Sequence, residues 1–296
     1  MSKQPPQSAK IIVRIKGGLG NQLFCYAAAR RLALANNAEL VIDDVTGFVR
    51  DIQYRRQYAL GNFSVLSRKA TVAERMEPFE RYRRGFAKLL SRQKPFPERD
   101  YLEEEGNWFD PRMLGLKVKG TLYLDGLWQN EKYFKDVEET IREDLRIIPP
   151  QDNENILMSE QIASCNAVSI HVRWFDFPDK MDSSLNLLQT YYTTAVSLIL
   201  EKVSNPHFFI FSDKPNAACK LLGLSSNLTT LVRINHGDVN AYADLWLMAQ
   251  CKHFIIANST FSWWGAWLSA SPGKNVIAPR TGFGSTDSLP REWIGI

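Results

Sequence analysis

Three short segments of this sequence carry side chains suited to holding an anion. His171-Val172-Arg173 closes an apolar run. Arginine stays charged at any working pH, and its planar fork of N–H donors can grip a diphosphate at two points. An ion pair from Arg173 to Asp176 or Asp213 is the competing use of the same group, with equal weight on pattern alone. Asn258-Ser259-Thr260-Phe261 precedes a second apolar run, Ser262-Trp263-Trp264-Gly265-Ala266-Trp267. A helix opening there would aim its first backbone N–H groups and hydroxyls outward, which makes an anion seat at the positive end of the helix dipole. The tryptophans read as core packing ahead of sugar platforms.

The third segment, Gly17-Gly18-Leu19-Gly20-Asn21-Gln22, has glycines where a backbone must take positive φ or admit a close neighbour. It is neither a dinucleotide fingerprint nor a phosphate loop ending in Gly-Lys-Ser/Thr. A tight structural turn and a ligand contact are equally compatible with it, and Asn21 or Gln22 could serve as a helix cap without any ligand. Asp213, Asp238 and Asp244 can be read as metal ligands or as hydrogen-bond partners of a base. The chain has no Asp-x-Asp, so no cation is expected to be required and no metal ligand is assigned. His207, His236 and His253 are scattered and read as surface or helix-end residues.

The elements that must position these residues follow from periodicity. Residues 11–15 are β-branched and lead through the glycine turn into a Leu-, Ala- and Arg-rich helix over 21–36, then a strand over 39–42, which makes a βαβ unit. Residues 46–110 are expected to be helices and loops. A second alternating series follows: strand 167–172, helix 187–203, strand 207–211, helix 216–222, extended 230–234, helix 242–249, extended 253–256 and 275–278. Parallel strands of this kind place their ligand crevice at their carboxyl ends.

A chain of 296 residues is expected to form two domains, divided here as 1–150 and 151–296. With 45% hydrophobic and 23% charged residues it has ordinary globular usage. Its net charge of +4 suits a phosphate-bearing small ligand and falls short of a nucleic-acid binder. Cys25, Cys165, Cys219 and Cys251 are widely spaced with no Cys-x-x-Cys, which fits a reduced, cytoplasmic compartment rather than a zinc site or disulfide framework. There is no apolar run of membrane-spanning length and no secretory signal. The stretch over 81–94, with Arg81, Arg83, Arg84, Lys88, Arg92 and Lys94 among Phe86, Leu89 and Leu90, could touch anionic lipid or a charged acceptor at the inner membrane face. A solvated helix face is the other reading.

Taken in order, the run from Lys16 to Phe24, then His171-Val172-Arg173, then Cys251-Lys252-His253 and the run from Asn258 to Trp267 resemble glycosyltransferase family eleven, which includes the bacterial α-1,2-fucosyltransferases. Gly126-Leu127-Trp128-Gln129-Asn130, Tyr191-Tyr192, Phe211-Ser212-Asp213 and Asp244-Leu245-Trp246 fall in the matching order. The resemblance spans nearly the whole chain. It implies a GT-B-like α/β fold with two Rossmann-type domains facing a central cleft, the first on the acceptor side and the second binding a GDP-sugar. It also implies GDP-fucose as donor, a galactose-containing oligosaccharide or glycolipid as acceptor, O2 of galactose as the target hydroxyl, and inversion at the fucose anomeric carbon.

By position, the resemblance assigns Arg173 to the donor pyrophosphate with Asn258, Ser259, Thr260 and Phe261 around it. His171 and Asp244 become guanosine contacts, and Asp213 joins the donor set. Asn21, with Gly18, Gly20 and Gln22, reaches the fucose or β-phosphate. The family block His-x-Arg-Arg-Gly-Asp-Tyr is altered here to Trp174, Phe175, Asp176 and Phe177 after Arg173. A second arginine and a glycine are therefore missing, and Lys214 or backbone donors would assist Arg173. Asp176 is the first choice for a general base, with pairing to Arg173 as its alternative role. A related transferase with another nucleotide sugar or linkage, and a nucleotide-sugar binding protein without turnover, are the competing functions.

Overall fold

The computed structural model describes residues 9–106, 108–175, 186–281 and 289–296. The chain divides into two compact units, Met1–Arg146 and Ile147–Ile296. Each is built on a parallel sheet, the pair of α/β domains expected of a GT-B-like fold.

In the first unit, β1 (Lys10–Arg14) runs into α1 (Leu19–Asn36) and returns as β2 (Glu39–Asp43). Ile11, Ile12 and Val13 are all buried, as expected of a central parallel strand covered on both faces. Helix α1 is buried on most of its circumference. Cys25, Ala27, Ala28 and Ala29 keep its body thin, while Arg30 and Arg31 emerge to pair with Asp144 and Asp136. The sheet is completed by β3 (Arg68–Lys69), β4 (Tyr101–Glu103) and β5 (Thr121–Asp125) in the order β3-β2-β1-β5-β4. The expectation of only helices and loops over residues 46–110 is therefore corrected: β3 and β4 lie within it, on either side of helix α2 (Glu80–Arg92). Strands of two and three residues are too short to show any periodicity.

In the second unit, α4 (Asn153–Ala163; α3 is Glu138–Asp144 of the first unit) precedes β6 (Asn166–Val172), α5 (Gln189–Lys202), β7 (Pro206–Ser212) and α6 (Pro215–Leu222). Then come β8 (Thr229–Leu231), α7 (Ala241–Gln250), β9 (His253–Ile255), α8 (Thr260–Leu268), β10 (Val276–Ala278) and β11 (Ile294–Gly295). The strand order is β11-β10-β9-β6-β7-β8. Val168, Ile170 and Val172 of β6 pack with Tyr192, Ala195 and Ile199 of α5 and with Phe208 and Ile210. Alternation along the strand then turns Ser169 and His171 to the opposite face. Trp263, Trp264 and Trp267 of α8 are buried against one another and Trp293, at centroid separations of 5.0 to 6.0 Å. They are core, as pattern alone favoured.

Candidate functional site

Both sheets contain a point where strand order reverses, and most of the described candidate residues lie near these two points, where open α/β sheets bind ligands. In the second unit the reversal lies between β6 and β9. The parallel register sets Ile170 beside Ile255 and Val172 beside Ser212, so the chain exits of β6, β7 and β9 are neighbours. Two tyrosines of α5 hold these exits. Tyr192 Oη donates to the His171 carbonyl at 3.2 Å, and Tyr191 Oη donates to the Ile256 carbonyl at 2.6 Å.

Arg173, one residue beyond β6, forms an ion pair with Asp213, one residue beyond β7, at 2.9 Å. Asp213 Oδ1 also accepts the Trp174 backbone N–H at 3.2 Å. The ion pair weighed as the alternative to a ligand contact thus exists with Asp213, and both side chains remain about one-third exposed. Asp213 is engaged by both Arg173 and the Trp174 backbone. Burial pushes its carboxyl up, with Arg173 opposing.

His171 is buried, and its ring lies 5.7 Å from that of Phe261 in the first turn of α8. Burial, reinforced by the nearby Arg173 charge, lowers its pKa to about 3, so it is neutral across the working range. Its Nδ1 has no hydrogen-bond partner among the described residues, and neither has Ser169 Oγ on the same strand face. Buried polar atoms are normally satisfied, and a pair of such atoms beside a cationic strand end is a place where a polar ligand gains most. Ser259 occupies the N-cap of α8 in extended conformation and makes no side-chain capping bond, while Asn258 precedes it and Thr260 and Phe261 begin the helix. His171, Arg173, Asp213 and Phe261 are thereby brought together at the strand exits that Asn258, Ser259 and Thr260 also border.

Asp244 stands apart from that group. It sits on α7, where Oδ1 accepts from Asn235 Nδ2 at 2.8 Å, and Asn235 exchanges a reciprocal pair of 3.0 Å bonds with Asn155 of α4. Burial raises its pKa to about 6, which the Asn235 donor only partly offsets. Among the described residues it makes no hydrogen bond or ion pair to His171 or Arg173. Asp176 lies outside the described residues. Among the described residues no group of three or more His, Cys, Asp or Glu side chains is placed to hold a metal ion.

In the first unit the reversal lies between β1 and β5. Gly17 adopts φ +77°, and a Cβ there would stand 2.7 Å from Asn21 Nδ2, so glycine is required. Gly18 is the extended N-cap of α1, with its face against the Arg56 guanidinium, and Gly20 is buried within the first turn. Gln22 is fully committed. Its Nε2 donates to the Gly17 and Gln57 carbonyls at 2.9 and 2.8 Å, and its Oε1 accepts from Ala59 N at 2.8 Å. This buried amide, with three backbone partners, ties the loop together.

Asn21 Oδ1 accepts from Gln129 Nε2 at 2.8 Å, which joins the turn after β1 to the loop after β5. That loop opens a pocket lined by Glu104, Trp108, Leu127, Gln129, Asn130 and Tyr133. Glu104 accepts the backbone N–H groups of Leu127 and Trp128 at 2.6 and 2.9 Å, and burial raises its carboxyl despite those bonds. An exposed indole beside a carboxylate and two amides is a surface that suits a sugar ring. Sequence reasoning did not single out Glu104 or Trp108. No spacing signal marks them, because they reach the site only through the β4–β5 pairing, which sets Glu103 beside Asp125.

The glycosyl transferase family 11 model matches residues 10–296. An alpha-1,2-colitosyltransferase of Escherichia coli is 29% identical over 301 residues, covering 97% of this chain and 98% of that protein. The O-antigen biosynthesis glycosyltransferase WbnK, also of Escherichia coli, is 28% identical over 289 residues, with coverages of 91% and 93%. Among solved structures, an arginine-to-lysine mutant of Arabidopsis thaliana FUT1 in complex with GDP shares the fold at a TM-score of 0.56 and 13% identity, covering 94% of this chain and 71% of that one.

Proposed function

Because this chain belongs to glycosyl transferase family 11, we propose that it transfers L-fucose from GDP-fucose to O2 of a galactose residue in a glycan acceptor, in the cytoplasm, with inversion and without a metal ion. The observation that carries this reading is the grouping of Arg173, Asp213, neutral His171 and the opening turn of α8 at the strand-order reversal of the second unit. In a single displacement the acceptor oxygen attacks C1 while the bond to the GDP β-phosphate oxygen breaks. Charge then grows on the diphosphate, where Arg173 and the backbone N–H groups around Ser259, Thr260 and Phe261 receive it. The acceptor proton goes to a general base, for which Asp176 is the proposed residue. The Asp176→Asn variant is expected to lose the acidic limb of the pH–rate profile, and an unchanged profile removes it from catalysis. Asn21, Gly18 and Gly20 with the Gln129 and Glu104 pocket are assigned to the sugar side, and residues 1–146 to acceptor binding.

A second donor is favoured by one specific observation, the colitosyltransferase relative. Colitose is L-fucose without its 3-hydroxyl, so the two donors differ by a single polar group. The deciding assay offers GDP-fucose and GDP-colitose with galactose-terminated acceptors in EDTA, reading GDP release and product mass. Fucosyl product in EDTA is the expected result. Colitosyl product alone reassigns the donor, rescue only by added divalent cation overturns metal independence, and GDP binding without any product supports a non-catalytic protein.

Asp244 gives this reading a pH signature. As an ionised carboxylate it would accept the guanine N1–H and amino donors, and with a pKa of about 6 it is half protonated at pH 6. GDP affinity is therefore expected to fall roughly tenfold per pH unit below about 6, and to lose this dependence in Asp244→Asn. The stability linkage has the opposite sense. Since folding raises this pKa, its contribution is fully present below the usual carboxylate range and is lost as pH rises through about 6. Calorimetric titration of GDP across this window, with thermal melts of the unliganded protein, checks both signs.

A further inference from the structure

Helix α2 is folded inside out. Its buried side carries Arg84 and Ser91, with Ala87 laid against the cluster of Ile12, Val41, Ala70, Tyr101 and Tyr123. Ser91 Oγ both donates to the Tyr101 carbonyl at 2.8 Å and accepts from its N–H at 3.0 Å, which docks the helix along the edge strand β4. Lys88 pairs with Glu103 at the same seam. The large apolar side chains point the other way. Phe79, Tyr82, Phe86, Leu89 and Leu90 are 71%, 75%, 64%, 58% and 44% exposed. Their spacing of three, four, three and one residues makes one stripe on a helix of 3.6 residues per turn, and that stripe lies diametrically opposite Arg84 and Ser91.

Basic residues border the stripe on both sides. At 100° per residue, Arg83 falls about 20° beyond Leu90 on one side, and exposed Arg92 and Arg81 fall about 60° and 80° beyond Leu89 on the other, with Lys94 following just beyond the helix. Glu80 is the sole acid between residues 80 and 94, against six Lys and Arg. The local balance is therefore +5 in a chain whose total is +4, which leaves the remainder at −1. A soluble surface helix places its apolar stripe on the core and its charges outward. Here the core side is polar and small, and the solvent side is aromatic and aliphatic within a cationic frame.

We propose that α2 docks this protein on an anionic lipid bilayer, with Phe79, Tyr82, Phe86, Leu89 and Leu90 entering the headgroup–acyl boundary and Arg81 and Arg83 meeting lipid phosphates. Lipid is the occupant because of charge. Lys88 and Arg92 are offset by Glu103, and Lys94 by Asp100, which leaves exposed Arg81 and Arg83 with no ion pair among the described residues. Two copies meeting through this face would bring those cations together, whereas an anionic surface neutralises them as the stripe is buried. Among the described residues no helix is long and apolar enough to cross a membrane, so the contact is a surface one.

The test sediments the full chain with phosphatidylcholine vesicles and with vesicles also containing phosphatidylglycerol, at low and high salt. The wild type is expected to bind the anionic vesicles and to be released by salt. Tyr82→Ser/Phe86→Ser/Leu89→Ser is expected to abolish binding, and Arg81→Gln/Arg83→Gln to weaken it about tenfold or more. All five side chains are exposed and none belongs to the residues assigned to the donor nucleotide, so unchanged far-ultraviolet circular dichroism and unchanged GDP binding should accompany both variants. Failure of the wild type to bind anionic vesicles overturns the proposal, as does equal binding by the triple variant. Light scattering showing a dimer that the triple variant dissolves, without vesicle binding, assigns the face to a second copy instead. None of these readouts uses sugar transfer, so the proposal stands or falls separately from the donor assignment.

Discussion

Arg173→Ala is expected to lower kcat for sugar transfer by about 100-fold or more, with a smaller change in KM. The reason is timing. The diphosphate carries its largest new charge as the glycosidic bond breaks, so a donor fork aimed at it contributes more in the transition state than in the ground state. Arg173→Lys should recover only part of the loss, because an ammonium reproduces the charge without the two parallel N–H bonds, and because Asp213 at 2.9 Å can collapse onto a point charge. Asp213→Asn is the informative companion, since it keeps the Trp174 contact while loosening the arginine and should cost less than Arg173→Ala. Steady-state kinetics on the three variants, with GDP affinity measured directly, separate these roles. Near-normal kcat in Arg173→Ala would remove the arginine from the reaction.

The largest expected loss of stability comes from a residue with no part in chemistry. Gly47 passes so close to the end of β1 that a Cβ would stand 1.8 Å from the Ile15 carbonyl oxygen and 2.9 Å from its carbon. Backbone cannot yield as a side-chain tip does. The turn is also pinned from the other side, since Asp43 accepts from Val45 N, Thr46 N, Thr46 Oγ1 and Tyr123 Oη, and Arg14 donates to the Thr46 carbonyl at 2.8 Å. Gly47→Ala must displace either this network or Ile15, and Ile15 leads directly into the glycine turn that carries Asn21. A loss of about 3 kcal/mol or more is expected, which corresponds to a fall in Tm of roughly 6–12 °C for a unit of this size. Gly61→Ala is the control. No atom lies within 4 Å of a Cβ there, so its effect should be small. A Gly47→Ala protein that melts with the wild type would mean that the turn is free to move.

The second unit was readable at its centre because β6 and β7 are seven residues long and largely buried on both faces. Ala167, Val168 and Ile170, and Phe208 to Phe211, form apolar runs that only a central parallel strand explains, and α6 after β7 is bounded by Pro215 and Gly223. The first unit was readable only as far as β2. Its β3 and β4 are two and three residues long, and β5 pairs with β1 across more than a hundred residues of chain. Pairing at that distance leaves no local pattern. The same physics divided the site. Arg173 could be weighed against Asp213 from sequence because adjacent parallel strands end in step, whereas Glu104 and Trp108 meet Gln129 only once β4 lies beside β5. Gln22 looked like a ligand residue because polar amides at a glycine turn do so from type alone. Its three backbone partners come from the turn itself and from residues 57 and 59, whose approach nothing in the sequence announces.

On the proposed donor assignment, the Arg173–Asp213 pair would make nucleotide binding an exchange reaction rather than a simple capture. An incoming diphosphate would meet an arginine whose partner is already a carboxylate at hydrogen-bonding distance, and would compete with it. When GDP departs, that carboxylate is there to take the arginine back. Such a competition would lower the net affinity for donor and spent nucleotide alike, so a centre arranged in this way would favour repeated cycles over tight retention of its product.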